Sequence, residues 1–266
     1  ELELVFDFAR IDVLPAGGDD DVLHPVADPE IPVRVDLAAV RLLAPVPQPP
    51  QMRDFLCFEK HLVQAFESVR KMRAQRAPDP AAALAAIEAS GKPAAPSIWY
   101  ERPIYYKSNC FSVVGSGAEV HWPRYSQTID YELEIGLVTG RKGKNISVSD
   151  APDYIFGYCI FNDFSARDAQ FSEMQGTLGP AKGKDFDTGN AMGPWITTAD
   201  ELGDPQNLLM LARINGEEWS RGHSSTMHHS FAKLLSYASE EETVVPGEIL
   251  GSGTVGGGCG NEQARY

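Results

Sequence analysis

The sequence predicts an α+β fold in which β structure dominates. Between residues 98 and 196, short apolar or alternating runs follow one another with glycine turns between them, which is typical of successive strands. Three stretches have the spacing or boundary residues of helices: 54–75, 80–90 and 226–237. Strands and helices do not alternate along the chain, so a doubly wound parallel sheet is not predicted.

Residues 1–48 predict a small β domain ahead of the main one. Apolar or alternating runs occupy residues 2–8, 11–14 and 33–43, with a Gly-Gly pair and several prolines between them. Pro45, Pro47, Pro49 and Pro50 then mark a boundary. We therefore expect an N-terminal β domain of residues 1–48 and a main domain of residues 49–266.

Residues 54–75 predict a single amphipathic helix. Its apolar stripe consists of Phe55, Phe58, Leu62, Phe66, Val69 and Met72. Asp54 would open this helix and His61 would share its face. An Asp-Pro pair at 79–80 and Gly91 then predict a short alanine-rich helix, a segment suited to a mobile lid.

Composition narrows the class of protein. A chain of 266 residues with 43% hydrophobic residues can bury a sizeable core, and no run of 18 apolar residues predicts a membrane span. The net charge of −14 argues against nucleic acid as a partner. The four cysteines are widely spaced without a C-x-x-C pair, so we expect reduced thiols in a cytoplasmic protein and no zinc site.

Two glutamates lie inside an apolar run, Ile129 to Val138. If this run is a strand, Glu132 and Glu134 share one face, because residues two apart on a strand point the same way. Neighbouring buried carboxylates repel each other, and a hard divalent cation relieves that cost. Asp163 ends a second apolar run, 154–161, and can supply a third ligand. The pattern predicts a magnesium, manganese or calcium site; the alternative is a solvated sheet face and a helix cap.

Two other patterns are rejected as functional motifs. Residues 251–256 match G-x-G-x-x-G, but further glycines follow instead of a helix, so no dinucleotide site is predicted. The three histidines at 223, 228 and 229 precede a predicted helix among Ser and Thr residues, and we expect them at the surface or at a helix cap.

Several motifs in order resemble the fumarylacetoacetate hydrolase family. They are Asp130-Tyr131-Glu132-Leu133-Glu134, the segment 157–170 with Asn162-Asp163-Phe164-Ser165-Ala166-Arg167-Asp168, and Leu178-Gly179-Pro180 leading to Lys184. The likeness runs from about residue 54 to residue 256. It implies a mixed β-roll, a homodimer, and a catalytic domain at residues 49–266 behind the small N-terminal β domain.

The resemblance also implies roles for individual residues. The implied ligands of a Mg²⁺ ion, with Mn²⁺ or Ca²⁺ as alternatives, are Asp54, Glu132, Glu134 and Asp163. His61 matches the general base, and Lys184 and Gln170 match groups that contact the substrate and its oxyanion. The implied substrate-binding residues are Tyr106, Thr254 and Arg70. For Lys184 the alternative is a loop lysine paired with Asp185 or Asp187.

The sequence departs from the family pattern around the implied substrate. Leu56 and Met174 stand where fumarylacetoacetate-cleaving members have tyrosines, and Gln64 stands where smaller acylpyruvate-cleaving members have a glutamate. The carboxylate that supports the base is expected beyond Tyr266. Arg167 and Asp168 are expected to form a structural ion pair outside the site.

The function that the resemblance implies is hydrolysis of a carbon–carbon bond in a 1,3-dicarbonyl (diketo) acid, through an enolate that the metal stabilises. Two alternatives stay open. One is decarboxylation, tautomerisation, hydration or dehydration of a keto acid, which needs the same metal. The other is a non-catalytic member of the fold. The expected partner is a small keto or diketo acid, with no nucleic acid and no membrane.

Overall fold

The structure is a computed structural model that describes residues 2–5 and 42–263. The predicted N-terminal run 11–14 and most of the run 33–43 lie outside the described residues. Of the run 2–8, residues Leu2–Val5 form a strand, which pairs antiparallel with Leu209–Ile214. The boundary at residue 48 stays a prediction.

Strands outnumber helices in the described part of the chain. In chain order the strands are β1 Leu2–Val5, β2 Met52–Phe55, β3 Tyr105–Lys107, β4 Val113–Val114, β5 Ile129–Asp130, β6 Leu133–Thr139, β7 Ile155–Asp163, β8 Ser165–Ala166, β9 Asn190–Thr198, β10 Leu209–Ile214, β11 Glu217–His223 and β12 Ile249–Gly251. The helices are α1 Glu59–Gln75, α2 Pro80–Ser90, α3 Ser97–Glu101, α4 Arg167–Glu173, α5 Ala199–Leu202, α6 Phe231–Ala238 and α7 Gly260–Gln263.

A mixed sheet of seven strands, in the order β3-β2-β12-β6-β7-β9-β4, is the largest element of the fold. The pairs β12–β2 and β4–β9 are parallel, and the other neighbours are antiparallel. A second sheet, β1-β10-β11, and the short pair β5-β8 complete the β structure of the described residues. The prediction of a β-dominated α+β fold is confirmed.

Both faces of the large sheet are buried, as the strand β6 shows. Leu133, Ile135 and Leu137 point into the main core, where α6 packs. Val138, on the other face, belongs to a second apolar cluster with residues of β7, β9 and β12. Burial of each such side chain contributes roughly 1.5–3 kcal/mol to folding. The face of β6 on which Glu132 and Glu134 were expected is therefore acidic only near the start of the strand and apolar further along it.

Helix α1 begins at Glu59, so the prediction that Asp54 opens it is wrong. Residues 52–55 pair with β12 and β3 as a strand, and Phe58 keeps an extended backbone just before the helix. The apolar stripe runs through the strand end and the helix alike, which is why the pattern did not separate them. Asp54 and His61 consequently do not share a helix face.

Helix α2 has the boundaries that the sequence predicts. The Asp79 carboxylate accepts a hydrogen bond from the Ala82 backbone N–H at 3.0 Å, and Gly91 ends the helix with φ +73°. Helix α6 begins later than predicted, at Phe231 instead of residue 226, because Ser230 caps it. Among the described residues, no helix is both long and apolar enough to cross a membrane.

Candidate active site

Four buried carboxylates converge at one end of the large sheet. Asp54 lies on β2, Glu132 directly before β6, Glu134 on β6, and Asp163 at the end of β7. One oxygen of each lies within 4.8 Å of the others. None of the four residues is more than 4% exposed. The site is built by strand pairing, because β2, β12, β6 and β7 are neighbours in that order.

Gly251 on the intervening strand β12 makes room for the carboxylates. It is paired with Asp54 on one side and with Gly136 on the other. A Cβ atom added to Gly251 would lie 2.5 Å from Asp54 Oδ1, closer than real Cβ contacts come, and 3.0 Å from Glu134 Oε2, an unusually tight contact. The absence of a side chain here is therefore a condition for bringing Asp54 and Glu134 together.

The donor set fits a hard divalent cation. Asp54 Oδ1 and Asp163 Oδ1 are buried and make no hydrogen bond within residues 2–5 and 42–263. Burial, together with the charge of Asp163, raises the pKa of Asp54 to about 7, and burial beside Asp54 raises the pKa of Glu134 well above its usual value. Unsatisfied, mutually repelling carboxylate oxygens are the ligands that Mg²⁺, Mn²⁺ and Ca²⁺ prefer.

Lys184 and Tyr106 contact the same cluster from another side. Lys184 Nζ lies 2.6 Å from Glu132 Oε2 and 2.6 Å from Asp163 Oδ2, and the Tyr106 hydroxyl donates to Asp163 Oδ2 at 2.5 Å. Burial acts to lower the pKa of Lys184, but Asp163 and Glu132 raise it above its usual value, so the group is an ammonium. Lys184 is thus not a loop lysine paired with Asp185 or Asp187.

Arg167 forms its ion pairs with Glu132 and Asp130, so the expected ion pair between Arg167 and Asp168 is wrong. Its guanidinium donates to Glu132 Oε1 at 2.7 Å, to Asp130 Oδ2 at 2.7 Å and to Gln170 Oε1 at 2.9 Å. Asp168 instead accepts from Ser126 and from a neighbouring backbone N–H. Consecutive residues on a helix do not face each other, so Arg167 and Asp168 point to different partners.

His61 and Glu262 form a hydrogen-bonded pair at the edge of the site. His61 lies in the first turn of α1, and its Nδ1 is 2.7 Å from Glu262 Oε1. His61 thus has a carboxylate partner on α7, whereas the resemblance places a supporting carboxylate beyond Tyr266. Asp130 fixes this segment, because its carboxylate accepts from the backbone N–H groups of Gly260 at 2.7 Å and Asn261 at 3.0 Å.

A cavity of about 320 Å³ opens above the carboxylates. Eight of the ten residues to which the resemblance assigns roles line it, namely Asp54, His61, Tyr106, Glu132, Glu134, Gln170, Lys184 and Thr254. Asp163 does not line it but contacts Lys184, which does. Leu56 and Met174, where the sequence departs from the family pattern, line the same cavity. Glu134 also accepts from Gly253 N–H at 3.0 Å and Thr254 Oγ1 at 3.4 Å.

Arg70 is not brought to this cavity. Its guanidinium donates hydrogen bonds to Ser90 and to the Gly91 carbonyl oxygen, the latter at 3.1 Å, and so joins α1 to the end of α2.

The histidines outside the site differ from one another. His223 caps a short 3-10 helix as expected, whereas His229 is buried and its Nε2 lies 2.8 Å from the Trp99 carbonyl oxygen.

A family model described as Fumarylacetoacetate (FAA) hydrolase C-terminal matches residues 54–266. The chain belongs to this family. The match contains the four carboxylates, His61 and Glu262. Membership supports an enzyme, and the buried acidic cluster makes metal binding plausible.

Relatives in the family carry broad or differing names. A “Putative hydrolase” of Burkholderia cenocepacia is 36% identical over 154 residues, which are 58% of this chain and 54% of that protein. The chain thus spans about half the length of the curated relatives it matches. The structure of 2-hydroxyhepta-2,4-diene-1,7-dioate isomerase from Mycobacterium marinum is 25% identical, with a TM-score of 0.64 over 90% of this chain and 77% of that one.

A third similar protein is maleylpyruvate hydrolase from Sphingobium sp. SYK-6, whose structure is a complex with manganese(II) and pyruvate. It is 22% identical, with a TM-score of 0.62 over 86% of this chain and 68% of that one. At this identity the likeness shows the fold alone. The names in this group include both a hydrolase and an isomerase, so the family does not by itself decide the reaction.

Proposed function

We propose that this protein is a divalent-metal-dependent hydrolase that cleaves a carbon–carbon bond in a 1,3-dicarbonyl acid. The observation that carries the proposal is the pair His61–Glu262 at the wall of a cavity that also exposes the carboxylate cluster. A histidine supported by a carboxylate is suited to take a proton from water. Hydrolysis needs such a group, whereas decarboxylation of a keto acid does not.

The residues that would hold the cation are Asp54, Glu132, Glu134 and Asp163, with Mg²⁺ as the first candidate and Mn²⁺ or Ca²⁺ as alternatives. When bound, the cation supplies a Lewis acid that stabilises negative charge developing on the substrate oxygens. Arg167 keeps Glu132 oriented, and Gly253 and Thr254 do the same for Glu134.

His61 activates the water. Glu262 accepts a hydrogen bond from the Nδ1–H group of His61. This tautomer leaves the lone pair of Nε2 free to take a proton from water. The water oxygen bonds to the carbonyl carbon, and the bond to the neighbouring carbon then breaks. Its electron pair goes to that carbon, which recovers a proton from the His61 imidazolium. The products are a carboxylic acid and a 2-oxo acid.

Two side chains are placed to stabilise the intermediate oxyanion. An ammonium group has three N–H donors, and Lys184 uses two of them on Glu132 and Asp163, so one is left for the substrate. Gln170 accepts from Arg167 through its Oε1, which turns its amide N–H groups to other partners. Such donors typically contribute about two to three orders of magnitude in rate.

The apolar side chains at the cavity wall indicate the kind of acid. Leu56, Ile104 and Met174 line the same cavity as three of the carboxylates and Lys184. Apolar surface in a pocket favours an apolar group on the substrate, and one methylene is worth about 1–3 kcal/mol there. We infer a diketo acid whose carboxylate end faces the charged groups and whose acyl end is apolar. We also propose the homodimer that the resemblance implies; light scattering measures it.

The test is a substrate screen of the purified chain with Mg²⁺, using acylpyruvates, fumarylacetoacetate-like diketo acids and oxaloacetate. Loss of enol absorbance gives the rate, and mass spectrometry in ¹⁸O-labelled water identifies the products. We expect a 2-oxo acid and a carboxylic acid that contains one oxygen from water. Turnover of oxaloacetate alone, or an isomer without labelled oxygen, would replace hydrolysis by the alternative reactions.

A histidine variant tests the proposed base. His61→Ala should lower kcat by about two to four orders of magnitude and leave Mg²⁺ affinity nearly unchanged. The matched control is His121→Ala, which removes an exposed histidine that does not line the cavity. Full activity of His61→Ala would remove His61 from the mechanism.

A further inference from the structure

We propose a second cation site, formed by His61, Cys259 and Glu262, that takes a borderline divalent cation such as Zn²⁺. One ligand atom of each residue lies within 4.8 Å of the others. The set differs in chemistry from the four-carboxylate cluster, because it combines a thiol, an imidazole and a single carboxylate. His61 and Cys259 are almost 200 positions apart, so cysteine spacing gave no sign of it.

Glu262 supplies an independent observation. Its side chain is fully buried, with one oxygen held by His61 Nδ1 at 2.7 Å. The other oxygen, Oε2, is buried and has no hydrogen-bond partner within residues 2–5 and 42–263. A buried carboxylate oxygen without a partner costs free energy, and a cation shared with Cys259 and His61 removes that cost.

Backbone hydrogen bonds fix the segment that carries Cys259 and Glu262. The Gly258 N–H donates to the Val255 carbonyl oxygen at 2.7 Å, which closes a turn just before Cys259. Asp130 then holds the next two backbone N–H groups, those of Gly260 and Asn261. The two ligand side chains therefore come from a segment that is anchored without them, as a preorganised site requires.

Ligand softness separates the two sites. Thiolate and imidazole ligands favour Zn²⁺, whereas an all-carboxylate set suits Mg²⁺ and Mn²⁺. A bound cation displaces the proton of a coordinating thiol, so Cys259 and Glu262 together would balance the two positive charges. His61 lines the cavity, which gives the cation an entry path and a place for water as a fourth ligand.

Zinc at this site would inhibit the enzyme, a consequence that rests on the proposed function. A neutral imidazole that binds a metal through one ring nitrogen carries its proton on the other, so neither nitrogen can accept a proton from water. His61 would then be lost as the base while the carboxylate cluster keeps its own cation. We therefore expect Zn²⁺ inhibition that excess Mg²⁺ does not reverse.

Cobalt(II) tests the site without any measurement of activity. Added to Mg²⁺-saturated protein, Co²⁺ should bind once per chain and give a thiolate-to-metal charge-transfer absorption, which oxygen ligands alone cannot produce. Cys259→Ser should lose this absorption and bind Zn²⁺ at least about tenfold more weakly. The matched control is Cys159→Ser, a second buried cysteine that lies in the apolar cluster on the sheet.

The outcomes separate the two proposals. No charge-transfer absorption in the unmodified protein, or absorption that persists in Cys259→Ser, overturns the site; the unmodified protein decides this even if a variant does not fold. Absorption accompanied by Zn²⁺ inhibition that Cys259→Ser relieves supports both the site and the role of His61. Absorption with undiminished hydrolysis supports the site and overturns His61 as the base.

Discussion

Two ionic clusters, one fully and one partly buried, begin at neighbouring residues of β2 and differ in charge balance. Arg53 and Asp54 are consecutive on a strand, so their side chains point to opposite faces. Around Arg53, two cations meet two carboxylates: Arg53 contacts Glu248 and Glu242, and Lys107 lies 3.0 Å from Glu242. The second oxygen of Glu248 accepts from the Val245 N–H.

Around Asp54 the charges do not balance. Four carboxylates meet two cations, Lys184 and Arg167, and Arg167 is shared with Asp130. Two carboxylate oxygens have no hydrogen-bond partner in the described part of the chain, and three of the acids, Asp54, Glu134 and Asp163, have a raised pKa. The comparison teaches that a cluster with balanced charges can serve the fold alone, whereas an excess of buried carboxylates is the arrangement expected where a ligand supplies the missing positive charge.

The largest expected effect comes from removing one acid in each cluster. Glu134→Gln should weaken Mg²⁺ binding by more than about 100-fold, because it removes a ligand. It should not lower the free energy of unfolding in chelator, since it relieves repulsion with Asp54. Glu248→Gln should keep Mg²⁺ affinity and lower that free energy by about 3 kcal/mol, because Arg53 loses a buried partner.

Calorimetric Mg²⁺ titration and urea unfolding in chelator measure both quantities. At 100 times its dissociation constant for the unmodified protein, Mg²⁺ should add about 2.7 kcal/mol to the stability of that protein and of Glu248→Gln, but less than about 0.4 kcal/mol to that of Glu134→Gln. Wild-type Mg²⁺ affinity in Glu134→Gln would show that the carboxylate cluster is not the metal site.

The cations of the two clusters should show the opposite pattern. Lys184→Met should lower kcat by about two to three orders of magnitude, because the oxyanion loses a donor, with little loss of stability while Mg²⁺ is bound. Arg53→Met should leave Glu248 unpaired and cost about 3–5 kcal/mol of stability. Steady-state kinetics and denaturant unfolding measure the two effects. A Lys184→Met protein that is fully active but unstable would make Lys184 structural.

Asp130 is a positioning residue that links the two halves of the site, since it holds both Arg167 and the segment that carries Glu262. Asp130→Asn should lower kcat by about tenfold and shift the pH profile of kcat, with KM little changed. Asp168→Asn is the matched control, because Asp168 lies beside Arg167 without contacting it. Equal losses in the two variants would argue against a specific link.

The smallest effect is expected for Arg70. Arg70→Ala removes a surface contact between α1 and α2, so the free energy of unfolding should change by less than about 0.5 kcal/mol and kcat/KM by less than about twofold. A large rise in KM, measured by steady-state kinetics, would restore Arg70 as a substrate-binding residue and would require α1 and α2 to rearrange around the substrate.

Three of the four clustered carboxylates could be predicted from the sequence because they follow strand periodicity. Glu132 and Glu134 are two residues apart in an apolar run, and Asp163 ends another, so burial on a shared edge follows from local pattern. The β-dominated fold class was predictable for the same reason. Asp54 was found through the family motif, but its strand was mistaken for helix because the decisive pairing partner, β12, is remote in sequence.

Of the hydrogen-bonded pair His61–Glu262, only His61 could be predicted from the sequence. His61 follows Asp54 at the family spacing, whereas Glu262 carries no local signal, since it reaches His61 through tertiary contacts that Asp130 makes with the segment before it. The partners of Arg167 were likewise not predictable from local pattern, because Asp130 and Glu132 lie more than 30 residues away in the sequence. The sequence instead suggested Asp168 as the ion-pair partner of Arg167, because the two opposite charges are adjacent in the chain. In each case the missing information is a long-range contact.

The position of β12 has a consequence for how the protein is made. This strand lies between β2 and β6, and its bare Gly251 is what lets Asp54 approach Glu134. As the ribosome releases the chain from its N-terminal end, Asp54 emerges about 200 residues before its neighbour on the sheet. A nascent polypeptide therefore cannot bring Asp54 and Glu134 together until synthesis has passed Gly251, and binding of the proposed cation would report that β12 has inserted between β2 and β6.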